Sequence, residues 1–207
     1  MYRDLLNHKI GNILLYFANE VNPLYFTKAI KLLYILDETS VKEVGAPLTW
    51  LDYKVWKFGP VPESIYEEIN SVKKENCSCS PLFEYINAEK VQNPFEEEKD
   101  AILIKSKDGI SFNKFLFSNY ELGLLNDISK KYKNFTSKQL VDILHSEGSL
   151  WDQIVKSNDI EFSFELNDNR SNFSIDFTKL LKDDPDKQEV YKSANNSLKF
   201  ERTLNSL

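Results

Sequence analysis

Two histidines, His8 and His145, two cysteines, Cys77 and Cys79, and an adjacent acidic pair, Asp37-Glu38, are the residues of this chain whose types and spacing bear on chemistry. Imidazole is the side chain best suited to general base work near neutral pH, but a base needs a nucleophile within hydrogen-bond reach. No G-x-S-x-G elbow, no H-E-x-x-H helix and no Walker-type glycine loop is present. With six glycines in 207 residues, a phosphate cradle has little to be built from. His145, in Leu144-His145-Ser146-Glu147, falls at the end of an expected helix, where a capping or structural role outweighs a catalytic one. The remaining catalytic reading is a hydrolase or transferase that uses His145 with a distant carboxylate. Paired carboxylates share a proton when forced together, but neighbours on a helix point apart, so Asp37-Glu38 reads as a solvated surface pair. A single C-x-C has no second half to complete a four-ligand zinc site, and two free thiols fit a reducing cytosol. The expectation is no catalytic residue, no metal and no cofactor.

A different constellation, Tyr53, Trp56, Phe58, Gly59, Pro60 and Tyr66, places aromatics around a Gly-Pro turn. Such a group closes a core more often than it forms an interface, although Trp and Tyr also dominate interface hot spots. A platform for single-stranded nucleic acid would need abundant positive charge beside the rings, and Lys54 and Lys57 supply little. The net charge is −6 and arginine occurs only as Arg3, Arg170 and Arg202. Both facts argue against nucleic acid and suit a basic protein partner.

These residues have to be positioned by elements that the apolar spacing outlines. Ile10, Ile13, Leu14, Phe17 and Val21 share one helical face, and Asn22-Pro23 breaks that helix. Thr27 to Asp37 reads as a second helix, apolar over more than half its circumference and therefore central. Gly45-Ala46-Pro47-Leu48 is a turn, and a third helix starts near Pro62 with Ile65, Ile69 and Val72 on one face. Residues 73–100 read mostly as loop. Ala101 to Lys105 and Ile110 to Phe112 flank Lys107-Asp108-Gly109 as a small β-hairpin. Ser118-x-x-Glu121 and Thr136-x-x-Gln139 are capping boxes, with Leu122, Leu125 and Ile128, then Leu140, Ile143 and Leu144, turned inward. Gly148 ends the second of these helices, and Trp151 lies in a short helical piece with Ile154 and Val155. After residue 158 the period becomes two: Ile160, Phe162, Phe164 and Leu166 alternate, then Phe173, Ile175 and Phe177, predicting a second hairpin. Asp184-Pro185 starts a tail with a sparse apolar stripe, able to dock or to dimerise. The fold class expected is mainly α (α+β), a helical domain with a small β-hairpin plus a C-terminal hairpin and tail. No run approaches the ~18 apolar residues of a membrane helix, and the N-terminus lacks the apolar run of a secretory signal, so a cytoplasmic protein is expected.

Taken together, Lys31-Leu32-Leu33-Tyr34-Ile35-Leu36-Asp37, Gly45-Ala46-Pro47-Leu48 and Leu51-Asp52-Tyr53-Lys54-Val55-Trp56-Lys57-Phe58-Gly59-Pro60-Val61-Pro62 closely resemble the signature of the Panacea, or SocA-like, antitoxin domain. The resemblance continues through Ser64-Ile65-Tyr66 and Phe117-Ser118 to Leu144-His145-Ser146-Glu147 and Leu150-Trp151, spanning roughly residues 10–155. Many family members carry an aromatic and a histidine just after the K-L-L-Y helix, where this chain has Thr39 and Ser40. The resemblance implies an antitoxin that neutralises a toxin encoded beside it by direct binding, with Tyr34, Asp37, Tyr53, Trp56, Phe58, Gly59, Pro60, Val61, Tyr66, His145 and Trp151 as signature or partner-binding residues. An antitoxin domain is expected over residues 1–157, with the hairpin and helical tail over 158–207 either part of the same domain or an extension of it. A protease adaptor or a transcriptional regulator is the competing reading, and homo-oligomerisation is left open. A shared core that serves varied toxins puts specificity on variable loops, here residues 73–100 and the C-terminal extension.

Overall fold

Proline at position 23 ends the first helix as its chemistry requires, and α1 runs over Tyr2–Glu20. The computed structural model describes residues 2–71, 80–93, 100–162 and 169–204. After the two-residue strand β1, Leu24–Tyr25, the central helix α2 occupies Phe26–Val44, longer at its C-terminus than the apolar run suggests. Nothing interrupts it before Gly45, whose φ of 78° takes the left-handed backbone that closes helices. Gly45 is confined sterically as well, since a Cβ there would lie 2.8 Å from the Lys187 carbonyl oxygen.

The fold is mainly α with small antiparallel sheets. It divides into two units, residues 1–32 with 65–134 and residues 33–64 with 135–207. In the first, β4, Ile86–Gln92, and β5, Asp100–Ser106, pair antiparallel from Ile86↔Ser106 to Gln92↔Asp100, and β1 adds Leu24↔Ile104 on the other side of β5. α1 packs on this sheet and on α4, Asn119–Tyr132, burying Ile13, Leu14 and Phe17 with Ile86, Ile102, Ile104 and Leu125. α3, Glu63–Asn70, buries Ile65 and Ile69 as its spacing predicts; Val72 lies outside the described residues.

Two expectations are corrected here. Residues 73–100 are not mostly loop where they are described, because Pro81–Glu84 form a 3₁₀ turn and Ile86–Gln92 form β4. Only Ile86 of that strand is fully buried, so its alternation is too weak to show in the sequence. β5 consequently pairs with β4 and β1, not with Ile110 to Phe112. Lys107-Asp108-Gly109 does turn, with the Ile110 amide donating to the Lys107 carbonyl at 3.2 Å, but it leads out of the sheet.

Both capping boxes form. Ser118 accepts from the Glu121 amide while Glu121 reaches back to the Ser118 amide, and Thr136 and Gln139 do the same at α5, Ser137–Leu144. The inward faces are rotated slightly from expectation: Leu124, Leu125, Ile128 and Tyr132 are buried on α4, Leu122 is half-buried, and Ile143 on α5 is exposed.

Gly11 of α1 illustrates how close packing dictates sequence. A methyl group at Gly11 would overlap the Tyr85 ring, whose hydroxyl hydrogen-bonds His8 Nδ1. Gly11→Ala is therefore expected to destabilise by about 1–3 kcal/mol through overpacking, although alanine favours an exposed helix by about 1 kcal/mol. Thermal denaturation checks it: in a Tyr85→Ala background the same change should become neutral or stabilising.

In the second unit, β2, Tyr53–Trp56, and β3, Gly59–Pro62, form a hairpin with Trp56 opposite Gly59. The expected second hairpin does not form as drawn. Residues 163–168 lie outside the described residues, Ile160 and Phe162 are not in a strand, and Phe173 to Ile175 pair with β2. The Val55 amide donates to the Phe173 carbonyl at 2.8 Å and the Ile175 amide to the Tyr53 carbonyl at 2.7 Å. The open edge of β2 needs backbone partners, and this distant segment supplies them. α6, Leu150–Ser157, packs near β2, and Phe177–Leu181 form a 3₁₀ turn. α7 starts at Pro185 as expected and runs to Leu204, burying Leu198 and resting Tyr191 on Trp50.

Candidate functional site

Asp37 is the centre of the second unit's polar chemistry, and the solvated-pair reading is wrong for it. Its carboxylate is completely buried. Oδ1 accepts from the Leu48 amide at 2.8 Å and the Thr49 amide at 2.9 Å; Oδ2 accepts from the Tyr53 hydroxyl at 2.8 Å and from the Thr49 hydroxyl. The chain can aim two successive amides at one oxygen because Gly45 turns it at the end of α2 and Trp50, at φ 52°, turns it again after Thr49. Tyr34, one turn before Asp37 on α2, sets its ring edge-on to Tyr53 at 5.2 Å and against Phe177 at 5.7 Å, and donates to Glu38 Oε1 at 3.3 Å. Ser40 is buried and donates to the Ala46 carbonyl at 2.6 Å.

Burial pushes the Asp37 carboxyl up to about 6, and the bonds from Thr49, Tyr53 and Leu48 pull it back only in part. A carboxylate has about four acceptor positions, and all are taken by groups of the fold. The arrangement thus locks the 45–53 loop onto α2 and leaves no lone pair to deprotonate a substrate. The Tyr53 hydroxyl is pushed well above its ordinary value by burial and by the facing Asp37 charge. Lys31 of the K-L-L-Y run is also buried, in the first unit, and desolvation lowers its ammonium to about 7. Sequence reasoning missed both burials. The signal was there in one respect, because a helix apolar over more than half its surface carries its polar residues inward too.

The aromatic constellation is split. Trp56 is buried, with the Arg170 guanidinium over its ring at 4.4 Å, and its carbonyl accepts from the Trp151 indole at 2.8 Å. The core reading therefore holds for Trp56 and Tyr53 and for Val61 and Pro60 on β3, all buried. Gly59, at φ 95°, lets β3 begin after the Lys57-Phe58 turn, which leaves Phe58 exposed. Tyr66 belongs to the first unit, where its ring lies 5.5 Å from Phe26. His145 caps α5, its amide donating to the Val141 carbonyl at 2.9 Å, and its ring stacks on Trp151 at 3.6 Å.

Among the described residues no group of three or more His, Cys, Asp or Glu could hold a metal ion, and Cys77 and Cys79 lie outside them. None of the described helices is long and apolar enough to cross a membrane. No curated protein and no solved structure matches the chain. Residues 30–152, more than half of it, match the family described as antitoxin SocA-like, Panacea domain. That span takes in the buried Asp37 lock, the β2–β3 hairpin and the His145–Trp151 stack. By that match the chain belongs to the SocA-like, Panacea-domain antitoxin family.

Proposed function

We propose that this chain acts in the cytoplasm as an antitoxin that neutralises a cognate toxin by binding it directly, without catalysing a reaction. The observation that carries the reading is the family match over residues 30–152. Two features support a binder over a catalyst. The most buried carboxylate of the signature has all its acceptor positions engaged within the fold. The net charge of −6 suits a basic protein partner.

The test is to express the protein encoded beside this chain, alone and together with it. The expected result is toxicity of the neighbour alone, growth restored by this chain, and a complex that survives purification. Rescue with no complex at any stage overturns direct binding. Rescue that needs a host protease and lowers the neighbour's level points to an adaptor instead.

A further inference from the structure

We propose that α7 is a strap over the signature loop: its first turns and the Gly45 to Trp50 segment form one latch, so that the seating of α7 and the Asp37 lock open and close together.

Contacts of different kinds fasten the strap. Gly45 meets the backbone of the first turn of α7 with no room for a side chain, the Lys187 carbonyl oxygen lying 2.8 Å from where a Cβ would stand. Lys187 Nζ, held at 3.0 Å by Asp184, donates to the Lys42 carbonyl at 2.9 Å. Lys42 is in the last turn of α2, where carbonyls find no acceptor role within the helix itself. The Tyr191 ring lies 5.3 Å from that of Trp50. Trp50 directly follows Thr49, whose amide and hydroxyl both donate to Asp37, and so joins the strap to the lock. Burial pushes the Tyr191 hydroxyl up, and the Asp176 and Asp37 charges add to the shift, which puts the strap's ring within electrostatic reach of the locked carboxylate.

Stored strain and a light hold give the latch a second state. Trp50, at φ 52°, is a bulky residue on left-handed backbone, a conformation that persists only where its surroundings over-determine it. Thr49 on one side and the Tyr191 ring on the other do so here. The hold of α7 is light because, among its described residues, Leu198 alone is a buried apolar side chain, whereas Val190 is 46% exposed and Phe200 66%. A helix that covers so little apolar surface lies at the low end of the range of local stabilities and detaches while the core stays formed. Detachment uncovers the Trp50 ring and the Lys42 carbonyl and lets the Trp50 backbone relax. The coupling is reciprocal: a partner that grips freed α7 loosens the loop, and one that holds the loop closed fastens α7. Because α7 lies beyond the family match, which ends at residue 152, a segment outside the shared domain thereby controls a loop inside it.

The experiment follows amide hydrogen exchange residue by residue, by NMR on the full chain, in wild type, Tyr191→Ala, Asp37→Asn and Val190→Ala, the last a control at an exposed position of α7. Tyr191→Ala is expected to speed exchange of the Leu48 and Thr49 amides by about five-fold or more, although those amides are bonded to Asp37 and not to Tyr191. Asp37→Asn is expected to speed exchange along residues 191–198 of α7 by a similar factor. The Val55 and Ile175 amides, bonded across the edge of β2, are expected to keep their wild-type rates in every variant, which separates opening of the latch from unfolding of the unit. Val190→Ala should leave the Leu48 and Thr49 amides unchanged. Faster exchange in α7 of Tyr191→Ala with Leu48 and Thr49 unaffected overturns the latch, since strap and lock then open separately. An equal acceleration at Val55 and Ile175 overturns it as well, because the whole unit is then unfolding. If Asp37→Asn does not fold, the Tyr191→Ala comparison decides alone.

Discussion

Asp37→Ala is expected to lower the stability of the second unit by about 3–5 kcal/mol, read from urea unfolding followed by circular dichroism. The substitution leaves two amides and two hydroxyls without their acceptor, in a place that the side chain fills completely. Each such donor costs about 1–3 kcal/mol, partly relieved if water enters the space. Asp37→Asn keeps the shape and one acceptor oxygen, so its loss should be smaller. The pH dependence separates charge from shape. Because burial raises the folded carboxyl from 3.8 to about 6, the folded state holds its proton more tightly than the unfolded chain does. That contribution is fully present below the unfolded value and disappears as pH rises through about 6. The stability gap between wild type and Asp37→Asn should therefore be smallest above about pH 7 and widen on acidification toward about pH 5. A gap that narrows instead would show that the four donors outweigh desolvation.

Trp56→Ala is expected to cost about 3–5 kcal/mol, the usual loss for truncating a buried indole. The backbone carbonyl that accepts from Trp151 survives the change, but the buried ring under the Arg170 guanidinium does not. Trp56→Phe, which refills part of the space, should recover a good share of the loss. Differential scanning calorimetry on the full chain decides the matter, and an unchanged melting temperature for Trp56→Ala would remove Trp56 from the core. Phe58→Ala, two residues on in the exposed turn, should leave the same transition in place, so the pair divides scaffold from surface within one hairpin.

Several features were legible before any coordinates because their physics is local. The capping boxes at Ser118 and Thr136 join residues three apart, and both formed as expected. The Asn22-Pro23 break, the Gly45 turn and the Pro185 helix start follow from the backbone freedom of single residues. The K-L-L-Y and W-x-x-G-P-V runs identified the family, because they keep residue types in fixed order along the chain. The site itself was less legible. Tyr53 and Trp56 lie in the core, as their residue types suggested, but Asp37 looked like a surface charge.

What the sequence determined by itself was thus where several helices start, and to which family the chain belongs. The tertiary structure decided which charges are buried and which strands meet. Asp37 is satisfied by donors 11 to 16 residues away, and β2 takes its second partner from Ser174, 120 residues on from Lys54. A buried carboxylate is tolerable only when several donors converge on it, and a strand edge needs backbone groups of any side-chain type. Neither condition leaves a mark at three- or four-residue spacing, so only the folded chain reveals it.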